Sequence, residues 1–190
     1  VEAAVFIGPS YVGGGEALAE RTEFDWEDEL ETDEGWAKYN KHYWLRDYQG
    51  FVEFFFSRFF TEPHSTKPFE DCVGWALETT GETLVTAQYG VTLSPEEARE
   101  LARRVSCPVL VIQGAEDEQV SWTRGAALAE HTSGQLTILD GSAHGVHVRD
   151  PVKVNHLTIQ QHNLVAVYSN DDGAQVKTAN GGIQPLNRMR

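Results

Sequence analysis

Cationic charge is scarce in this 190-residue chain: 15 Lys and Arg face 29 Asp and Glu, a formal net charge of −14. That balance argues against a nucleic acid or an anionic membrane surface as partner. Only two cysteines are present, Cys72 and Cys107. Their positions show no metal or redox spacing and cannot make a disulfide framework, so a reducing, cytoplasmic compartment is the expectation. No apolar run approaches the roughly 18 residues that span a bilayer; the richest, Phe51 to Phe60, is broken by Glu53, Ser57 and Arg58. No secretory signal heads the chain, and it opens Val1-Glu2 instead of with methionine, which reads as a truncation. What the chain has is 41% hydrophobic and 23% charged residues, enough for a core.

The sequence divides into four stretches. Residues 1–20 open with Ala3-Ala4-Val5-Phe6-Ile7, closed by Gly8-Pro9, as expected of a buried parallel core strand running into a loop. Residues 21–90 are acidic and aromatic. Eight acids between Glu23 and Glu34 form a solvated loop or helix face. Helical spacing then predicts helices near Trp36–Arg46, Tyr48–Phe60 and Phe69–Thr79, with Pro63 and Pro68 separating the last two. This is a helical insert, its aromatics packing against one another.

Residues 91–162 read as helix, strand, helix, strand, helix, which requires parallel strands with helical crossovers. Ser94-Pro95-Glu96-Glu97 is a capping box, followed by a buried stripe of Ala98, Leu101, Ala102 and Val105. Val109 to Ile112 and Leu136 to Leu139 are the strands; Trp122 to His131 is a helix; Gly141 to Arg149 is a loop; Asp150-Pro151 starts another helix. Residues 163–190 read as a polar tail without sustained period, with a weak hairpin near Asp171-Asp172-Gly173.

Two loops carry the chemistry. One follows the strand at Val109 and holds Glu116, Asp117 and Glu118; the other follows the strand at Leu136 and holds His144. Loops at the C-terminal edge of a parallel sheet project reactive side chains, and adjacent strands lie about 4.8 Å apart, so a carboxylate on one can meet a histidine on the next. The carboxylate fixes the imidazole tautomer, leaving the other ring nitrogen to take a proton from a nucleophile. His147, His156, His162 and Asp150 lie near His144 in sequence, but their spacing matches no zinc signature, and no metal or other cofactor is expected.

Cys107-Pro108-Val109-Leu110-Val111-Ile112-Gln113-Gly114-x-x-Asp117-x-x-Val120 resembles the acid-bearing strand of the α/β-hydrolase family. Gly141-x-x-His144, followed by Arg149-Asp150-Pro151, resembles that family's histidine loop, and Ala4-Val5-Phe6-Ile7-Gly8-Pro9-Ser10 is similar to the strand before its lid insertion. The resemblance implies an α/β fold: a partial parallel sheet of an α/β-hydrolase with a helical lid insertion. It makes Asp117 the triad acid and His144 the base, with Glu116 and Glu118 facing solvent. The family's nucleophile motif, G-x-S-x-G, does not occur; Gly8-Pro9-Ser10-Tyr11-Val12-Gly13 comes nearest, with its second glycine one residue late. The nucleophile is therefore expected N-terminal to Val1, and the chain is expected to be inactive without that half of the fold.

The function these residues imply is that of the C-terminal part of an esterase-like hydrolase acting on a small molecule with an apolar moiety. Dehalogenase, epoxide hydrolase and haloperoxidase chemistries share the fold, and the identity of the nucleophile would separate them. A non-catalytic ligand- or protein-binding module is the alternative from another class.

Overall fold

The structure is a computed structural model that describes residues 2–90, 92–161, 164–170, 173–178 and 183–185. Its centre is a three-stranded sheet in the order β1 (Ala4–Ile7), β2 (Val109–Gly114), β3 (Gln135–Leu139). Both pairings are parallel: Ile7 lies opposite Ile112, and Gly114 opposite Leu139. Every residue of β2 is buried, so its run from Val109 to Ile112 is apolar without alternation while its packing still alternates. Val109 and Val111 pack on Ala102, Leu128 and Ala129, together with Phe6 and Leu136. Leu110 and Ile112 point the other way, onto Leu139, Val146 and Val154, with Val5 and Ile7 beside them.

Helices α5 (Pro95–Arg103) and α6 (Trp122–His131) cover the first face; α7 (Val146–Arg149) and α8 (Pro151–Gln161) cover the second. The capping box of α5 is complete: Ser94 Oγ accepts from Glu97 N at 3.3 Å, and Ser94 N donates to Glu97 Oε2 at 2.8 Å. Its expected stripe needs one correction. Ala98 and Ala102 are buried and Val105 packs on them, but Leu101 is 48% exposed. It lines an open apolar groove with Val12, Leu93 and Phe6, so the apolar face of α5 is wider than the surface that covers it among the described residues. The expected loop from Gly141 to Arg149 is also partly helical, since Val146–Arg149 make the single turn of α7.

Between β1 and α5 the described residues form two 3₁₀ turns, Ala19–Thr22 and Gly35–Lys38, and four helices: α1 (Lys41–Arg46), α2 (Tyr48–Phe59), α3 (Thr66–Ala76) and α4 (Gly81–Gln88). Their core is Tyr43, Trp44, Phe51 and Val52, ringed by Trp26, Tyr39 and Phe55. The predicted helix at Trp36–Arg46 is split by Asn40. Its Oδ1 caps α1 at His42 N (2.9 Å), while its Nδ2 donates to the carbonyls of Asp25, Trp26 and Asp28. One buried amide thus ends a turn, starts a helix and pins the acidic run, whose eight carboxylates all remain exposed. Pro68 falls inside the first turn of α3 instead of before the helix, where a missing N–H leaves no hydrogen bond unmade.

Beyond α8 the backbone forms a second, antiparallel sheet of β4 (Leu164–Asn170), β5 (Gly173–Thr178) and β6 (Ile183–Pro185). Asn170 lies opposite Gly173, the place where the hairpin is expected; Asp171 and Asp172 lie outside the described residues. Within the described residues, no helix is long and apolar enough to cross a membrane.

Candidate active site

The C-terminal ends of β2 and β3 are joined beyond their last ladder pair: Ala115 N donates to Leu139 O and Glu116 N to Ser142 O, each at 3.0 Å. This approach depends on Gly114, because a Cβ there would collide with the carbonyl oxygens of Ser142 and Ala143. The result brings together the two residues singled out in the sequence. His144 Nδ1 stands 2.7 Å from Asp117 Oδ2.

Asp117 is almost fully enclosed, its side chain 1% exposed against 18% for His144. Burial of a carboxylate is costly unless its lone pairs are occupied, and here they are. Oδ1 accepts from Gln119 N (2.8 Å) and Val120 N (2.9 Å), and Oδ2 accepts from Gln113 Nε2 (2.6 Å) as well as from the imidazole. Four donors fill the capacity of an ionised carboxylate. Because that oxygen accepts, Nδ1 must donate, and Nε2 is left as the acceptor of a neutral ring.

The region between β1 and β2 shapes the rest. The Phe59 ring meets the imidazole edge-on, centroids 4.5 Å apart. Gly145 N donates to Phe59 O (3.2 Å), and Ala143 N to Glu62 Oε1 (2.6 Å). On the acid side, Gln119 Nε2 donates to Phe55 O (2.8 Å), and Arg58 pairs with Glu118 at 3.0 Å. The end of α2 and the residues after it therefore hold both loops. Gly8 also lies close to the ring: a Cβ there would stand a tight 3.0 Å from His144 Cε1, and its φ of +55° is one that glycine adopts most readily. A cleft of about 390 Å³, lined by Leu18, Trp36, Phe54, Arg58 and Asp117, opens beside the pair.

Glu116 and Glu118 are exposed. Ser10 is exposed too, and no hydrogen bond joins it to His144. His147 sits on α7, and partial desolvation of its ring, aided by nearby His144, holds its pKa below the ordinary value. Among the described residues no three His, Cys, Asp or Glu side chains are grouped to hold a metal ion; His162 lies outside them.

Gln113, Phe59 and Glu62 have places at this site that the sequence reading does not assign. Gln113 left a trace, as the polar residue inside the buried strand and four before Asp117. Phe59 and Glu62 left none, because their contacts with the histidine loop span the fold.

No protein-family model and no curated protein matches this sequence. Solved structures do. An esterase from Exiguobacterium antarcticum superposes with a TM-score of 0.63 at 11% identity, covering 85% of this chain and 57% of its own. A hydrolase from Oleispira antarctica gives 0.61 at 19%, covering 85% and 56%. A bromoperoxidase from Bacillus anthracis gives 0.62 at 19%, covering 84% and 57%. The chain thus spans little more than half the length of the solved structures it matches. Identities this low speak for architecture alone, and three parallel strands with their helices and insertion agree with it: the chain carries part of the α/β-hydrolase fold.

Proposed function

We propose that this chain is the C-terminal part of an esterase-like hydrolase in which Asp117 is the acid and His144 the general base of a serine-type triad. The observation that carries the reading is the enclosed Asp117 carboxylate, which accepts from His144 Nδ1 and leaves Nε2 to take a proton. His144 would deprotonate the nucleophile, and Asp117 would stabilise the imidazolium and keep the ring oriented; the proton would then pass from Nε2 to the leaving group. The nucleophile and the oxyanion donors come from a segment outside these 190 residues, and the chain alone is inactive. Support comes from the missing G-x-S-x-G, from β1, whose outer edge has no partner strand among the described residues, and from the short coverage of the matched structures.

The substrate is a small molecule with an apolar moiety. A cavity of about 350 Å³ among Tyr39, Trp44, Phe51, Phe55, Phe56 and Leu84 supports this, and its Phe56 wall adjoins the Phe59 ring that meets His144. Helices α1 to α4, within residues 21–90, act as the lid. Two free thiols, Cys72 and Cys107, support a reducing, cytoplasmic setting.

The test is hydrolysis of an activated ester by the chain and by a longer protein that supplies the nucleophile segment. The chain should show no turnover above its own His144→Ala variant. The longer protein should be active, lose most turnover with His144→Ala, and lose as much or less with Asp117→Asn, which spoils the tautomer. Equal activity with both residues replaced would end the triad reading in favour of a binding module.

A further inference from the structure

Another pocket, of about 200 Å³, lies where Gln119, Val120 and Ser121 lead from the acid loop into α6. Ser10, Arg21, Thr22, Ser121 and Arg124 line it. The two guanidinium groups are anchored but not neutralised. Arg21 Nη1 donates to Gln119 O at 2.8 Å, and the group lies 4.7 Å from the Tyr39 ring centre and 5.3 Å from that of Trp36. Arg124 Nε donates to Glu16 O at 3.3 Å. Each has one such bond out of five N–H donors, and neither has a carboxylate partner among the described residues.

In a chain with 29 acids to 15 cations, a pair of arginines facing one pocket without an acid is a departure from its composition. Glu16 and Glu20 are close in sequence, yet neither pairs with them. Ser10 and Ser121 add hydroxyls to the wall, while the Thr22 hydroxyl already donates to Ala19 O at 3.0 Å. Ser121 caps α6, a ten-residue helix whose first turn adds positive potential. A pocket this size is smaller than those that enclose a drug-sized molecule.

We propose that this pocket binds one oxyanion, a carboxylate or phosphate group on a small molecule, held by the forks of Arg21 and Arg124 with the Ser10 and Ser121 hydroxyls beside them. Aromatic rings hold the Arg21 fork in place, which is the preorganisation a bidentate oxyanion contact needs. The site is separate from the reacting pair and stands or falls independently of the hydrolase reading.

The experiment uses the full chain, titrated separately with inorganic phosphate and with acetate at constant ionic strength. Binding is followed by the NMR signals of the Thr123 amide and the arginine Nε–H groups. Saturable binding in the millimolar range or tighter is expected from one or both anions, the tighter one identifying the chemistry. Arg124→Gln should weaken it about tenfold or more, as loss of a charge-assisted contact does, and Arg124→Lys should fall between. Arg21→Gln should act likewise; if it unfolds the chain, as a melting curve would show, the Arg124 pair decides alone. Absence of saturable shifts with both anions, or equal binding by Arg124→Gln, would overturn the proposal.

Discussion

Replacing Gly114 with alanine puts a methyl group where the ends of β2 and the histidine loop have no room. The obstructing atoms are the carbonyl oxygens of Ser142 and Ala143, which are backbone and cannot turn aside as a side chain does. Overpacking at such a point costs about 1–3 kcal/mol. Ser142 O also accepts from Glu116 N at 3.0 Å, so pushing it away loses a hydrogen bond of about 1 kcal/mol. Gly114→Ala should therefore lower stability by about 2–4 kcal/mol, which at a urea slope of about 2 kcal/mol per molar moves the midpoint down by about 1–2 M. The control is Gly74→Ala, in the exposed interior of α3, where a Cβ meets nothing within 4 Å. There the same change should stabilise by about 0.5–1 kcal/mol, because glycine is a poor helix former. Urea unfolding of the three proteins decides the matter. A Gly114→Ala midpoint within about 0.2 M of the parent would show that the two loops are not held in the close contact on which the Asp117–His144 distance depends.

Asp117→Ala strips the acceptor from two backbone amides and from Gln113 Nε2, and should cost about 3 kcal/mol in the same assay. Ser94→Ala removes half of the α5 capping box and should cost about 1 kcal/mol, read as a lowered melting temperature. Because His147 has a depressed pKa when folded, the unfolded chain takes up its proton first on acidification. Its contribution is thus present above about 6.5 and lost as pH falls through the folded value. His147→Gln should flatten stability against pH in that window, measured by denaturation at several pH values.

The parallel core was legible because its signals are local. Val109 to Ile112 is a buried strand whichever way it packs, and Ser94-Pro95-Glu96-Glu97 is a cap wherever its helix lies. The placing of Asp117 and His144 on adjacent strand ends followed from that order together with the family pattern. Other features depend on partners distant in sequence. Asn40 looks like a minor helix breaker until the carbonyls of Asp25, Trp26 and Asp28 converge on its amide. The helix Gly81–Gln88 has a weak apolar period and begins at Thr80, whose cap bond to Thr83 N, 3.3 Å, is visible only once formed. Leu101 fits the stripe of α5 by spacing and is nevertheless exposed, because periodicity says which face a residue shares but not whether anything covers it.

The attachment of the histidine loop to the end of α2 has a mechanical consequence. Gly145 and Ala143, the residues on either side of His144, borrow their backbone partners from Phe59 and Glu62, and the Phe59 ring rests against the imidazole. The imidazole and this end of the helix are therefore fastened together. A hinge that raised the C-terminal end of α2 would unlatch His144 from both flanks at once, so the place of the ring and that of the helix end are coupled through the same three contacts.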